Sequence, residues 1–287
     1  MELLVVGMGY CGSALAEQAL EAGHAVWGVR RGTTFPRGVH GLSLDLAGPE
    51  ADLTPLPLQV DSIVYAVGAD AHDPASYERA YVDGLSRVVE RYRGALEARR
   101  TRLLFTSSTA VFAESAAWLD ESSPAEAQTF SAQVLRRAEL LAQQAGGSVL
   151  RLGGIYGPQR ASLIGRIQRG EISAESAPTR YTNRIHRDDV AGALLHLCER
   201  QAIAPLYLGV DEDPAPLGEV VKWLTEQLAQ RGLLTTRPIA PAVAASRRRQ
   251  VASKRCSSKL LRDHGYRFRF PTFREGYAEL LPNEAPG

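Results

Sequence analysis

The chain has 287 residues, enough to bury a large core as one big domain or two intimate ones. Its 45% hydrophobic and 23% charged residues are ordinary for a globular protein, and a net charge of +1 gives no global reason to expect nucleic acid or an anionic membrane as partner. Three cysteines (Cys11, Cys198, Cys256) lie far apart with no C-x-x-C pair, which fits a reducing compartment and no disulfide framework.

The opening run Met-Glu-Leu-Leu-Val-Val has no basic lead and stops at Gly7, too short for a secretory signal. No apolar stretch approaches the roughly 18 residues of a membrane span, so a soluble cytoplasmic protein is expected. Leu3 to Val6 reads as a buried strand. Leu15, Ala16, Ala19 and Leu20 then form one face of a helix that Gly23 can end. Ala25 to Val29, Leu42 to Leu44 and Ile63 to Val67 follow as strands. A long helical pattern from Tyr77 to Ala98 leads to a fifth strand, Arg102 to Thr106, and a helix from Ala132 to Gln144 leads to a sixth, Val149 to Leu152. This alternation predicts an α/β fold, a Rossmann-type doubly wound parallel sheet with ligands at the carboxyl ends of its strands.

The alternation breaks down after Tyr156. Residues 157–185 are rich in Arg, Ser, Pro and Gly, with one helix near Leu163 to Arg169. A helix from Arg187 to Arg200 and a strand from Pro205 to Gly209 rejoin the sheet. The tail from Asp211 holds a helix at Leu217 to Gln230, a Pro-rich stretch and two short helices. The expected division is a dinucleotide-binding domain over residues 1–157, completed by about 186–210. A smaller substrate-binding lobe would comprise residues 158–185 and 211–287.

Gly7-Met8-Gly9-Tyr10-Cys11-Gly12 is G-x-G-x-x-G placed directly after a strand and opening a helix, the context that gives the string meaning. Gly7 allows the tight turn, Gly9 lets backbone approach a pyrophosphate, and Gly12 lets the helix pack on the strand. The same glycines would also serve a plain tight turn. The second strand lacks the acid that usually holds the ribose of NAD and ends instead in Arg30 and Arg31, where a 2′-phosphate would lie. NADP is therefore expected rather than NAD; the other reading is a solvated basic turn. Asp45, with Leu46, is placed to meet the adenine, and Ala66, Val67 and Gly68 close the fourth strand with small residues along the cofactor's path.

Four further strings resemble the extended short-chain dehydrogenase/reductase group, the sugar-nucleotide epimerase and dehydratase type. Thr106-Ser107-Ser108-Thr109-Ala110-Val111-Phe112 is similar to its S-S-x-x-V-Y segment, and Asp120-Glu121-Ser122-Ser123-Pro124 to its D-E-x-x-P loop. Arg151 through Pro158 looks like R-x-x-x-x-Y-G-P, and Ile185-His186-Arg187-Asp188-Asp189-Val190-Ala191 resembles I-H-V-D-D-x-A. The tail from Lys254 to Tyr277 resembles a bacterial branch of the group. The resemblance implies a Rossmann fold, a nicotinamide cofactor contacted also at Tyr10, Cys11 and Ser107, and a homodimer by analogy.

It also implies a Y-x-x-x-K pair that this chain lacks. Anchored on Glu139, Ser131 falls at the Tyr place and Leu135 at the Lys place; a shift of one offers only Phe130 and Val134. The Ser of the usual trio survives as Ser108. It would orient a substrate oxygen beside the nicotinamide, with Thr109 assisting, or else cap local backbone. Replacement proton donors are Tyr156, His186, Tyr181 and Ser131, though His186 precedes a helix whose Asp188 and Asp189 read as first-turn acids. Cys11 reads as a small structural residue. His24, His40, His72, His196 and His264 have no metal-ligand spacing, so no metal is implied. Arg247-Arg248-Arg249 with Lys254-Arg255 lacks an aromatic stacking platform, and nucleic acid is not expected there. These groups, or Arg160, Arg180 and Arg184, could instead hold an anionic substrate.

The expectation is an NADP-dependent oxidoreductase or epimerase-like enzyme moving hydride to or from a small polar or sugar-nucleotide-like substrate. The alternative is a catalytically silent NADP(H)-binding sensor or scaffold, motivated by the missing pair.

Overall fold

The computed structural model describes residues 1–48, 51–178, 180–234 and 253–282. Arg247, Arg248 and Arg249, and most of the Pro-rich stretch before them, lie outside the described residues.

Strand β1 (Glu2–Val6) enters the core with four consecutive buried residues, as a strand covered on both faces must. Helix α1 (Tyr10–Glu21) follows, then β2 (Ala25–Arg30), β3 (His40–Ser43) and β4 (Ser62–Tyr65). Asp73 caps α2 (Pro74–Tyr77), its side chain accepting the Ser76 N–H, with Pro74 in the first turn. The helix starts earlier than the apolar periodicity suggested and is not uniform. It widens into a π-helical stretch, Glu78–Asp83, before α3 (Gly84–Glu97). Inside the wide turn the Tyr65 hydroxyl donates to the Ala80 carbonyl at 2.6 Å, supplying a partner that regular helix would have provided.

Then come β5 (Arg102–Ser108), β6 (Trp118–Leu119), α4 (Phe130–Gln144), β7 (Ser148–Leu152) and β8 (Gly154–Tyr156). The second half contains α5 (Ser162–Gln168), β9 (Tyr181–Thr182), β10 (Arg184–His186), α6 (Arg187–Glu199) and β11 (Leu206–Gly209). It ends with β12 (Ala215–Pro216), α7 (Leu217–Gln230), β13 (Arg255–Cys256), α8 (Lys259–Asp263) and α9 (Phe273–Leu280).

Seven strands make one parallel sheet in the order β11-β7-β5-β4-β1-β2-β3. This is the Rossmann-type doubly wound arrangement. One core packs α3 and α4 on one face, through Leu85, Val88, Leu135 and Ala138. The other packs α1 and α6 through Leu15, Ala19, Val190 and Leu194. A third cluster, including Ile164, Val220, Leu224 and Phe273, lies beneath α5, α7 and α9. Three two-stranded pairings, β10 with β8, β12 with β9 and β13 with β6, knit the later segments to the sheet's rim. Among the described residues no helix is long and apolar enough to cross a membrane.

Candidate functional site

The strand order reverses between β1 and β4, and a cleft of about 290 Å³ opens at the carboxyl ends of the strands there. Gly7 has φ +102°, and a Cβ on it would sit 2.6 Å from the Ala66 carbonyl carbon. A Cβ on Gly12 would sit 2.2 Å from the Gly7 oxygen, so the start of α1 lies directly on the loop. Gly9 is the opposite case. Nothing lies within 4 Å of the position its Cβ would take, and it lines the cleft at the N-cap of α1. That helix start carries no side-chain cap and no acidic residue in its first turn, so its leading N–H groups are left for an anion. An open backbone approach at an uncapped helix end fits a diphosphate.

Arg30, Arg31, Asp45 and Leu46 line one wall of the cleft, and Ala66, Val67 and Gly68 line the floor beside Gly7. Arg30 donates to the Thr34 carbonyl at 2.9 Å and meets no carboxylate among the described residues. Arg31 is engaged differently: both terminal nitrogens donate to Asp70, at 2.6 and 2.5 Å. This hydrogen-bonded pairing raises the Arg31 pKa and lowers that of Asp70. Asp45 accepts the Ala47 N–H at 3.1 Å, fixing the turn after β3. Asp70, Ser76, Arg79 and Ala80 complete the cleft from the β4–α2 turn, α2 and the π-helical stretch. Sequence reading missed them. The Asp73-Pro74 helix start was a usable signal for that boundary, but only the crossover brings Asp70 to Arg31, 39 residues away in the chain.

Tyr10, Cys11, Gly12 and Ser107 do not line this cleft. The Tyr10 hydroxyl donates to the Pro158 carbonyl at 2.8 Å, and the guanidiniums of Arg160 and Arg187 lie 5.5 and 5.3 Å from its ring centre. Tyr10 thus fastens the glycine loop to the Y-G-P turn. Burial pushes the Cys11 thiol up to about 11, which keeps it protonated and unreactive near neutrality. Ser107 donates to the buried Glu139 at 2.7 Å. Alternation along β5 sends its side chain toward α4, not toward the cleft.

At the end of β5 the Ser108 oxygen accepts the Ala110 N–H at 3.1 Å, capping a single 3₁₀ turn, Thr109–Val111. Its own hydroxyl proton remains free to donate. Thr109 is buried beside it. On α4, Ser131 stands 3.2 Å from the Thr129 hydroxyl, and Leu135, at the Lys place, is packed in the core.

Tyr156 and His186 lie together where β8 pairs with β10, their rings edge to face at 5.3 Å. Tyr156 also stacks on Tyr277 at 4.5 Å. Burial is the main cause of a Tyr156 pKa well above the usual phenol range. The Asp188 N–H donates to His186 Nδ1 at 3.3 Å, making the imidazole the N-cap of α6, and burial holds its pKa down at about 4. Among the described residues the Tyr156 hydroxyl and His186 Nε2 are buried without a hydrogen-bond partner, and the Asp211 carboxyl is buried as well. Burial raises the Asp211 pKa well above the ordinary carboxylate value.

Three of the remaining basic candidates have structural partners. Arg184 donates to the Thr182 carbonyl at 3.3 Å, Lys254 to the Phe112 carbonyl at 2.7 Å, and Arg255 to the Ala116 carbonyl at 2.6 Å. The Arg255 guanidinium also lies 5.1 Å from the centre of the Tyr181 ring. The Arg180 Nε is buried and has no hydrogen-bond partner among the described residues. Among the described residues no three His, Cys, Asp or Glu side chains gather as a metal site.

A solved protein from Methylobacillus flagellatus, of NAD-dependent epimerase/dehydratase type by its description, is 30% identical, with 97% of each chain covered and a TM-score of 0.77. The human epimerase family protein SDR39U1 (isoform 2), solved with NADPH, shares the fold at 21% identity, with 97% and 98% covered and a TM-score of 0.75. Protein YeeZ of Escherichia coli (strain K12) is 27% identical over 221 residues, 72% of this chain and 76% of that one. The model of the NAD dependent epimerase/dehydratase family matches residues 3–205, and with this fold, this glycine loop and these relatives the chain belongs to that family.

Proposed function

We propose that the chain binds a nicotinamide dinucleotide, NADP in preference to NAD, and serves as an oxidoreductase or epimerase-like enzyme on a small polar or sugar-nucleotide-like substrate. The observation that carries the reading is the cleft itself: an open glycine approach to an uncapped helix end, with Arg30 free of any described carboxylate at its rim. Proteins of this fold are known with NADPH, as in human SDR39U1, and with NAD, as in MoeE5, so the preference rests on the guanidiniums. When bound, the nicotinamide ring supplies hydride exchange at its C4 carbon. Gly9 lets backbone N–H groups meet the diphosphate, and Arg30 meets the 2′-phosphate. Ser108, its oxygen held by Ala110, offers its proton to a substrate oxygen. The substrate would lie between the sheet edge and the lobe built from residues 158–185 and the tail.

Calorimetry tests the cofactor. A charge-assisted contact contributes about 1.5–3 kcal/mol, so NADPH should bind at least about tenfold tighter than NADH. Arg30→Ala should erase much of that difference, and equal affinities in the unaltered chain would defeat the assignment.

A second reading, a silent NADP(H) sensor or scaffold, is favoured by one specific observation: among the described residues α4 presents a core leucine at the Lys place and a Ser131 paired with the Thr129 hydroxyl. Incubation with carbonyl substrates and with uridine or thymidine diphosphate sugars separates the two. A fall in NADPH absorbance that Ser108→Ala abolishes supports the enzyme, whereas binding without any change supports the sensor.

A further inference from the structure

Arg31 and Asp70 face each other across the mouth of the cleft, one at the end of β2 and the other on the turn after β4. The guanidinium fork is already arranged for a bidentate anion, and the carboxylate fills it. Both side chains are 59% exposed, so the pair itself contributes little to stability and can exchange partners. We propose that Asp70 is a specificity-determining residue, a carboxylate that competes with the 2′-phosphate for Arg31 and so restrains the preference for NADP. This rests on the nucleotide reading above and refines it.

The competition has two parts. While Asp70 holds Arg31, only Arg30 is free to meet the phosphate. Once Arg31 turns to the phosphate, Asp70 stands close to a group carrying between about −1.5 and −2 charges and repels it. Arg79, which also lines the cleft, acts on the Asp70 charge and gives the displaced carboxylate a cation to face. A ligand without a 2′-phosphate leaves the pair in place. Asp70 therefore acts on one phosphate group and leaves the rest of the dinucleotide alone.

The probes are 2′,5′-ADP and 5′-AMP, titrated calorimetrically into the full chain at low salt. Asp70→Asn keeps the side chain's size and removes its charge. It should tighten 2′,5′-ADP about tenfold, with a smaller gain at high salt, and leave 5′-AMP within about twofold. Asp70→Glu should restore the original ratio, and adding Arg31→Ala to Asp70→Asn should abolish the gain. An unchanged ratio in Asp70→Asn overturns the inference, as does an equal gain for both nucleotides. If the unaltered chain binds neither probe nor any dinucleotide, the cofactor reading itself falls and takes this one with it. Thermal melting of each variant separates lost binding from lost fold.

Discussion

Two glycines three residues apart perform separable tasks, because one faces open space and the other faces backbone. An added methyl group at Gly9 meets nothing within 4 Å, and the residue's backbone (φ −90°, ψ −150°) is extended, a conformation alanine adopts. Gly9→Ala should cost about 1 kcal/mol in urea unfolding, the difference between glycine and alanine at an N-cap, with no steric clash added. It should weaken NADPH binding by at least about tenfold, because the methyl group stands where the diphosphate must approach. Gly12→Ala forces a methyl group to 2.2 Å from the Gly7 oxygen, and a rigid loop must move. It should lose about 1–3 kcal/mol of stability by overpacking and bind poorly as a consequence. If Gly9→Ala binds NADPH like the unaltered chain, the cradle is misplaced. At this scale the G-x-G-x-x-G spacing made the tight turn at Gly7 and the close packing at Gly12 legible. The partner of Arg31 was not legible, since Asp70 belongs to a different turn and carries no local signature.

At the scale of elements, α4 is held by one buried carboxylate. Glu139 is fully buried and receives Ser107 from β5, Arg151 Nε and a terminal nitrogen from β7 at 2.9 and 2.8 Å, and Arg136 from its own helix. The Arg151 guanidinium, itself buried, lies 4.7 Å from the centre of the Phe112 ring. Glu139→Gln leaves that guanidinium uncompensated and should cost about 3–5 kcal/mol in urea unfolding. Replacing both members, as Glu139→Gln with Arg151→Met, should recover much of the loss because no uncompensated charge is then left buried. A single substitution costing under 1 kcal/mol would contradict this account. Glu139 was legible as an alignment anchor, and its use as a clamp emerged only from the fold. Six of the seven parallel strands were announced by apolar runs, whose length and β-branched content set them apart from helices; β3 (His40–Ser43) begins before the Leu42–Leu44 run expected for it, because it is a largely exposed edge strand with little apolar signal. The two-residue strands β6, β9, β12 and β13 were not announced, since two residues carry no period. The π-helical stretch also escaped periodicity, because the hydroxyl that satisfies it belongs to Tyr65 on a neighbouring strand.

The molecule as a whole is closed by its C-terminal segment against the start of α6. Asp189, read from sequence as a dipole-complementing acid, accepts the Tyr266 hydroxyl at 2.8 Å and the N–H groups of Arg269 and Phe270 at 2.7 and 2.9 Å. His186 lies at the same junction, 4.1 Å from Phe270 and 5.3 Å from Tyr156 between ring centres. Its Nδ1 accepts a backbone N–H, so the neutral ring carries its proton on Nε2, with the carboxylates of Asp188 and Glu279 no nearer than 3.9 and 4.0 Å. Burial depresses the folded-state pKa from 6.5 to about 4, so the unfolded chain binds more protons between those values. The resulting stability is fully present above pH 6.5 and is lost as pH falls toward 4, about 3 kcal/mol across the window. Asp189 and Asp211, raised by burial, work in the other direction: their stability is greatest below about pH 4 and falls as pH rises. The total slope therefore mixes signs, and a difference between two chains isolates one group. Asn in place of His186 keeps an acceptor for the Asp188 N–H but cannot titrate. Urea unfolding of both chains from pH 7.5 to pH 4 should show His186→Asn gaining on the unaltered protein by up to about 3 kcal/mol as the pH falls. Two parallel curves would mean that the imidazole reaches water or a carboxylate when it charges, and the closed junction would have to be redrawn.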